Sequence, residues 1–370
     1  MPPTATRRRI VEQARDIVVK VGTNAICDQS GRVDMKVMRS LAGQIAKAMR
    51  AGKSVALVTS GAIGAGVGEL GLAGRPKALP MLQAAAAVGQ GQLMRCFHDV
   101  FARRGVKVAQ VLVTRDDFEE RTRYLNIRNT LAALAEYRVL PIINENDTVA
   151  VDEIRFGDND VIAALVANML GADLTVFLTN VDGVMKDGAA LDVIERIDDQ
   201  VKSLAVGKSQ LGAGGMASKL AAAGMLTKAG EVAVIANSRQ PAVLTGILAG
   251  RRVGTVFVPA ARKMSQRRRW IGQASRPAGK IVIDDGAVAA LTKRGKSLLP
   301  SGVSAVIGRF ARGAVVAVID SAGRQVARGL TNYSSQQLDQ AKGLKTSQIA
   351  KVLGDKPYDE VIHRNNMTVE

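Results

Sequence analysis

Between Ile17 and Ala236 the chain alternates short apolar runs with helical patterns, and that alternation leaves few folds open. Ile17–Gly22, Ser54–Val58, Val106–Val113, Val139–Ile143, Leu174–Leu178 and Val232–Ala236 are rich in β-branched and aliphatic residues. Each is too short for a helix and reads as a buried strand. Val33–Arg50, Leu82–Arg104, Asp116–Tyr137 (in two pieces), the run that follows Asp160, and Met216–Ala229 carry helical spacing. Strands separated by helices of this length are predicted to lie in a mostly parallel sheet, which makes this an α/β domain.

In such sheets ligands bind beyond the carboxyl ends of the strands, and the polar residues of this sequence gather there. Lys20 ends the first run, Ser60-Gly61 follows the second, Asn144-Glu145-Asn146-Asp147 closes the run from Val139, and Thr179-Asn180 closes another. Ten residues beyond the Asn144–Asp147 cluster comes a second polar knot, Gly157-Asp158-Asn159-Asp160, at the opening of a long apolar helical run. The plain reading of Asp158, Asn159 and Asp160 is helix N-capping. The helix dipole would keep such acids ionised, so they suit anchoring a metal, a lysine or an ammonium better than donating protons. Two glycine-rich stretches, Gly61–Gly66 and Gly212–Lys219, could bring backbone N–H groups close to phosphate. Neither is a Walker A motif or a G-x-G-x-x-G fingerprint, and a glycine-rich turn alone is most often just a turn. Lys20 ends a buried run, so its charge requires compensation unless it snorkels to the rim. Lys219 sits one turn into its helix, where it either faces solvent or reaches an anion docked at the preceding loop.

Composition excludes several classes. Two cysteines, Cys27 and Cys96, cannot build a disulfide framework, and with no signal peptide in view a reducing cytoplasm is expected. No apolar run reaches the roughly 18–20 residues of a membrane span. Two histidines far apart in sequence, with only two cysteines, make a zinc site or a Ser-His-Asp hydrolase a poor fit. The net charge of +18 favours acidic partners such as nucleotides, polyphosphates or RNA, although a solubilising surface explains it equally well. Aromatic residues are only 3% of the chain, which leaves few stacking platforms for RNA.

The pattern changes after residue 261. Residues 1–9 read as a disordered basic tail, 10–261 as the α/β domain, 262–280 as a basic linker and 281–360 as a small β-barrel-like domain of short strands split by glycine turns. Gln336–Leu353 reads as a closing helix. The Ala-rich helix Leu82–Arg104 fits either a core or a subunit interface.

Two lysines, glycine-loop amides and a magnesium ion together suit phosphoryl transfer from a nucleotide, where the protein neutralises charge and aligns the reactants. A carboxylate acceptor is already ionised near neutral pH and needs no base, which agrees with the scarcity of histidine.

VVKVGTN (18–24), VTSGAIGAG (58–66), PIINENDTVA (141–150), FGDND (156–160), LTNVDG (178–183) and GAGGMASK (212–219), in this order, resemble the glutamate 5-kinases of the amino acid kinase superfamily. Residues 284–319 resemble a PUA domain. The resemblance implies an amino-acid-kinase-like three-layer αβα sandwich, and ATP-dependent phosphorylation of the γ-carboxylate of L-glutamate with Mg2+ carried on the ATP phosphates. It further implies that Lys20 and Lys219 stabilise the transferring phosphoryl group and that Asp158 and Asp160 orient those lysines and support the metal. Ser60, Asp147 and Asn159 would bind glutamate, with Gly61 and Asn144 lining the site. Thr179, Asn180, Ala213, Gly214, Gly215, Met216, Ala217, Ser218 and Lys219 would hold ATP. Proline as a feedback inhibitor and a homodimer or homotetramer are also implied. The family usually has Asp where Asn180 stands, Thr where Ala213 stands and often Tyr where Met185 stands; all three departures fall on the nucleotide side. An RNA-binding or regulatory role through the PUA domain is the alternative from another class.

Overall fold

The computed structural model describes residues 7, 11–27, 33–150, 159–206, 215–259, 263–353 and 358–369. The chain forms two compact units. The first takes residues 1–117 and 122–263, and the second residues 118–121 and 264–370.

The first unit is built on β1 (Asp16–Val21), β2 (Ser54–Thr59), β3 (Val108–Val113), β4 (Leu140–Glu145), β5 (Leu174–Thr179), a hairpin of β6 (Met185–Lys186) and β7 (Ala189–Ala190), β8 (Val193–Ile194), β9 (Val232–Asn237) and β10 (Thr255–Phe257). Apart from the hairpin these form one 8-stranded sheet in the order β3-β4-β2-β1-β5-β9-β10-β8. The strands from β3 to β9 pair in parallel, as the alternating pattern predicts, whereas β10 runs antiparallel to β9. The helices that matter for the site are α1 (Met35–Arg50), α2 (Ala62–Glu69), α3 (Leu79–Ala102), α4 (Asn159–Leu170) and α5 (Met216–Lys228).

The period of two along each strand sends successive side chains to opposite faces. Ile17, Val19 and Val21 of β1, Val55 and Leu57 of β2, and Leu140 and Ile142 of β4 share one core with Leu41 and Ile45 of α1 and Leu93, Phe97 and Phe101 of α3. The alternate positions, Val18 and Lys20 of β1 among them, turn to the other face, where α4 packs on β1, β2 and β5, and α5 on α4 and β9.

Close approach of α2 to α3 depends on two glycines. A Cβ on Gly66 would lie 1.8 Å from the carbonyl oxygen of Ala85, and one on Gly89 would lie 1.9 Å from that of Ala62. Gly66 therefore serves helix packing, and Gly61–Gly66 is mostly the first turns of α2 rather than an open loop. Gly61 itself caps that helix at φ 111°, a left-handed conformation in which a side chain would be strained.

The second unit holds a 5-stranded sheet, β12-β11-β13-β14-β15, from β11 (Lys280–Ile283), β12 (Val303–Ile307), β13 (Val315–Ile319), β14 (Gln325–Leu330) and β15 (Met367–Val369). Its core includes Ile281, Val316, Val318, Tyr333, Leu338 and Ile362. Three local expectations change. Gln336–Leu353 is not one helix: Ser335–Ala341 stops before Gly343, whose φ of 77° ends it, and a separate helix covers Ile349–Leu353. Within the expected linker, Gln266–Arg269 is helical and the turn continues to Ala274, with Arg269 and Ile271 buried. Arg7, in the expected disordered tail, is buried with its guanidinium paired to Asp192 and donating to the carbonyl oxygens of Val253 and Gly254.

Candidate active site

Strand register brings the predicted residues to one rim. Val21 lies beside Thr59 and Leu178, so Lys20, Ser60 and Thr179 stand at adjoining strand ends. Val58 pairs with Ile143, which sets Asn144 next to Thr59. Thr179 pairs with Asn237 on the far side.

At the centre of this rim is a buried cluster of three charged residues. Asp160, in the first turn of α4, is fully buried. Lys20 Nζ lies 2.7 Å from its Oδ1, and Lys219 Nζ, from α5, lies 3.0 Å from its Oδ2. Ser218 Oγ donates to the same Oδ2 at 2.7 Å and lies 2.9 Å from the carbonyl oxygen of Gly215, which can share the same proton. Lys20 and Lys219 are only 3% and 5% exposed, so bulk water does little to screen them. Burial alone would raise the Asp160 carboxyl, but the two ammonium groups and the Ser218 hydroxyl outweigh it and hold it below the usual range. Lys219 is lowered, first by burial and then by Lys20, against the pull of Asp160. The two partners thus shift in the same direction, and the geometry gives the reason: one carboxylate serves two ammonium groups. Both ammonium groups are thereby held in place on one buried carboxylate.

The helices supply further donors. Gly215 caps α5 with no side-chain hydrogen bond, and among the described residues no acceptor meets the N–H groups of Met216 and Ala217 in its first turn. Asn180 is exposed beside Thr179, whose hydroxyl lies 3.3 Å from Asn180 Oδ1. Asp158, Ala213 and Gly214 lie outside the described residues.

The other end of the site is less charged. Asn144 is buried; its Oδ1 accepts from the backbone N–H of Glu145 at 2.9 Å, and its Nδ2 donates to Oε1 of Gln90 on α3 at 2.8 Å. Asp147 is half-buried, and burial pushes its carboxyl up to about 6 even though Arg75 pulls the other way. Asn159 is buried at the start of α4, and its Oδ1 has no hydrogen-bond partner among the described residues. Sequence reading missed Gln90, which lies within an Ala-rich helix that carries no polar pattern. It also missed Asp182, which accepts from Asn237 Nδ2 at 2.9 Å and Gln240 Nε2 at 3.0 Å and so ties the ends of β5 and β9. Met185, at a family departure, is exposed in the β6–β7 hairpin.

Among the described residues no three His, Cys, Asp or Glu side chains converge as ligands, and both oxygens of Asp160 are engaged by the lysines and Ser218.

Residues 16–237 match the amino acid kinase family and residues 279–353 the PUA domain. The glutamate 5-kinase of Caldanaerobacter subterraneus subsp. tengcongensis is 46% identical over 361 residues, 95% of this chain and 97% of that protein. The chain belongs to the glutamate 5-kinase family. Another family member, the glutamate 5-kinase of Moorella thermoacetica, is 45% identical over 370 residues, with 98% of each chain covered. Among solved structures, a carbamate kinase from Giardia lamblia bound to AMP-PNP is similar at 21% identity with a TM-score of 0.47, covering 67% of this chain and 99% of that one. No helix among the described residues is long and apolar enough to cross a membrane.

Proposed function

We propose that the chain catalyses ATP-dependent phosphorylation of the γ-carboxylate of L-glutamate to L-glutamyl 5-phosphate, the first step of proline biosynthesis. The observation that carries this reading is the buried Lys20–Asp160–Lys219 cluster, with two ammonium groups held on one carboxylate at the rim of the sheet. A γ-carboxylate oxygen attacks the terminal phosphorus of ATP in line, the bond to the bridging oxygen breaks, and ADP leaves. No proton moves, so no general base is required. Lys20 and Lys219 stabilise the charge on the transferring group, and Asp160 keeps both ammonium groups fixed before the substrates arrive. Ser218 fixes the rotamer of Asp160 while the first turn of α5 receives phosphate oxygens. Thr179, Asn180 and Gly215–Lys219 form the nucleotide side, and Ala213 and Gly214, outside the described residues, are assigned to it by motif alone; Asp158, also outside them, is assigned by motif to orienting the lysines and supporting the metal. Magnesium travels on the ATP phosphates, where it offsets their charge.

Ser60, Gly61, Asn144, Asp147 and Asn159 form the glutamate side. A carboxylate at Asp147 and an acceptor at Asn159 Oδ1 that has no partner among the described residues suit the substrate's ammonium group. Inhibition by proline at an overlapping site, assembly into a homodimer or homotetramer, and a cytoplasmic location complete the proposal. A role through the PUA domain alone is not favoured, because the relatives align over the whole chain.

The test is a coupled assay with ATP, magnesium and glutamate, which should release ADP and, with hydroxylamine, form a hydroxamate. Faster turnover of N-acetylglutamate or aspartate than of glutamate would overturn the assignment. Addition of proline in the same assay tests the inhibitor, and sizing chromatography tests the assembly.

A further inference from the structure

We infer that Gln90 is a substrate-binding residue, reading the α-carboxylate of glutamate while it fixes the orientation of Asn144. The inference rests on the placement of glutamate beside Asn144 and Asp147.

A peptide N–H can only donate, so the Glu145 N–H, 2.9 Å from the Asn144 amide, must meet its oxygen. Asn144 Nδ2 then faces Gln90, 2.8 Å away, and Gln90 has to present Oε1; the opposite flip would set N–H against N–H. Polarity is thereby relayed from backbone to Asn144 to Gln90, and it ends on Gln90 Nε2. That nitrogen is shut off from water and has no acceptor among the described residues. Buried donors are rarely left in this state, so a ligand acceptor is the missing partner.

Position narrows which acceptor it is. Gly89, the preceding residue, packs so closely on the first turn of α2 that its Cβ would meet Ala62 O at 1.9 Å and Gly66 N at 2.2 Å. Gln90 therefore sits where α3 meets the Ser60–Ala62 turn and bonds across to the end of β4. Asp147, assigned to the substrate ammonium, lies three residues past Asn144. The α-carboxylate shares its carbon with that ammonium, so it falls on the Gln90 side, while the γ-carboxylate extends to Lys20 and Lys219.

The experiment compares kcat/KM for L-glutamate and for its α-amide, isoglutamine, in the wild type and in Gln90→Ala, Gln90→Glu and Asp147→Asn, with thermal melts of each. Isoglutamine keeps the ammonium and the reacting γ-carboxylate and lacks only the charge that Gln90 is inferred to read. Gln90→Ala should lower kcat/KM for glutamate by roughly 10- to 100-fold, as expected for losing a hydrogen bond to a charged group. It should affect isoglutamine far less, so that discrimination collapses. Gln90→Glu, nearly isosteric, should shift preference towards isoglutamine, because a carboxylate repels the α-carboxylate and accepts from an amide. The KM for ATP should hold in both. Equal losses on both substrates, or unchanged preference in Gln90→Glu, would mean that Gln90 only braces Asn144 and would overturn the inference. Asp147→Asn reports on the placement separately: it should raise KM for both substrates alike, and an unchanged KM there would remove Asp147 while the Gln90 ratio is still read on its own.

Discussion

Replacing Asp160 with Asn should separate the electrostatic role of the central cluster from its shape. The wild-type carboxylate lies 2.7 Å from one ammonium and 3.0 Å from the other. At an effective dielectric of about 20, each contact represents roughly 6 kcal/mol of Coulomb attraction before desolvation. Removing one partner of a buried pair typically costs about 3–5 kcal/mol. Here the cost is capped, because a buried lysine that loses this carboxylate can deprotonate. From a reference pKa of about 10.4, doing so at pH 7.5 costs about 4 kcal/mol. For a unit of this size, roughly 2–4 °C per kcal/mol then gives a fall in melting temperature of about 10 °C.

The pH dependence supplies a sharper signature. In Asp160→Asn a lysine's folded pKa falls well below its unfolded value, so the unfolded state binds more protons and stability rises with pH up to about 10.4. In the wild type the Asp160 pKa is lowered by the two lysines despite burial. Its contribution is present above the unfolded value of about 3.9 and is lost as pH falls through the folded one. Melting curves from pH 6 to 9 should therefore show the variant closing part of its deficit as pH rises, with turnover lowered throughout. A variant that melts with the wild type at every pH and turns over within a few-fold of it would refute the cluster as an electrostatic scaffold.

Lys219→Ala should keep the fold, since Asp160 retains Lys20 and Ser218, and should lower kcat by roughly 100- to 1000-fold or more, measured by ADP release. Asp147 titrates near 6, so the KM for glutamate should climb as pH falls through that value; Asp147→Asn should flatten the profile and raise the melting temperature, because an unfavourably buried charge is gone. Gly89→Ala should destabilise by about 1–3 kcal/mol or more, read by denaturant unfolding, because its Cβ would meet backbone atoms at 1.9 and 2.2 Å that cannot swing away.

What could be read from the sequence follows from how local each signal is. Lys20 was legible because a charge at the end of a β-branched run is anomalous by itself, and the period of two then sends it to the α4 side. That Asp160 would serve both lysines was not legible from spacing, since Lys219 lies 59 residues away and only α4–α5 packing brings them together. Gln90 gives no local signal in a 24-residue helix of small residues; its role exists only where α3 crosses the end of β4. The antiparallel β10 was missed because three residues carry no usable alternation. The glycines of Gly61–Gly66 pointed to a phosphate loop or a turn, and Gly66 turned out to answer the close approach of Ala85 instead.

The two faces of the sheet explain why chain length should matter to the acceptor. Lys20 shares its face with Val18 and meets Asp160 and Lys219 on the α4 and α5 side, whereas Asn144 shares the parity of Ile142 and turns towards α3 and Gln90. In the proposed site, Asn144 and Gln90, assigned to the α-carbon end, thus come from the α3 side, and Lys20 and Lys219, assigned to the reacting carboxylate, from the α4 and α5 side, with Asn159 of α4 between the two ends. A substrate must reach over the sheet edge to satisfy both ends. Aspartate, shorter by one methylene, can satisfy Asp147 and Gln90 or present its side-chain carboxylate to the lysines, but not both at once. It should therefore bind and compete with glutamate while its kcat falls, rather than suffer only the roughly 10- to 200-fold change in kcat/KM that a methylene is worth in a simple apolar pocket. Inhibition and turnover assays with aspartate separate these outcomes. A kcat for aspartate equal to that for glutamate, with only KM raised, would show that the lysines and the amides do not act on opposite ends of one extended substrate.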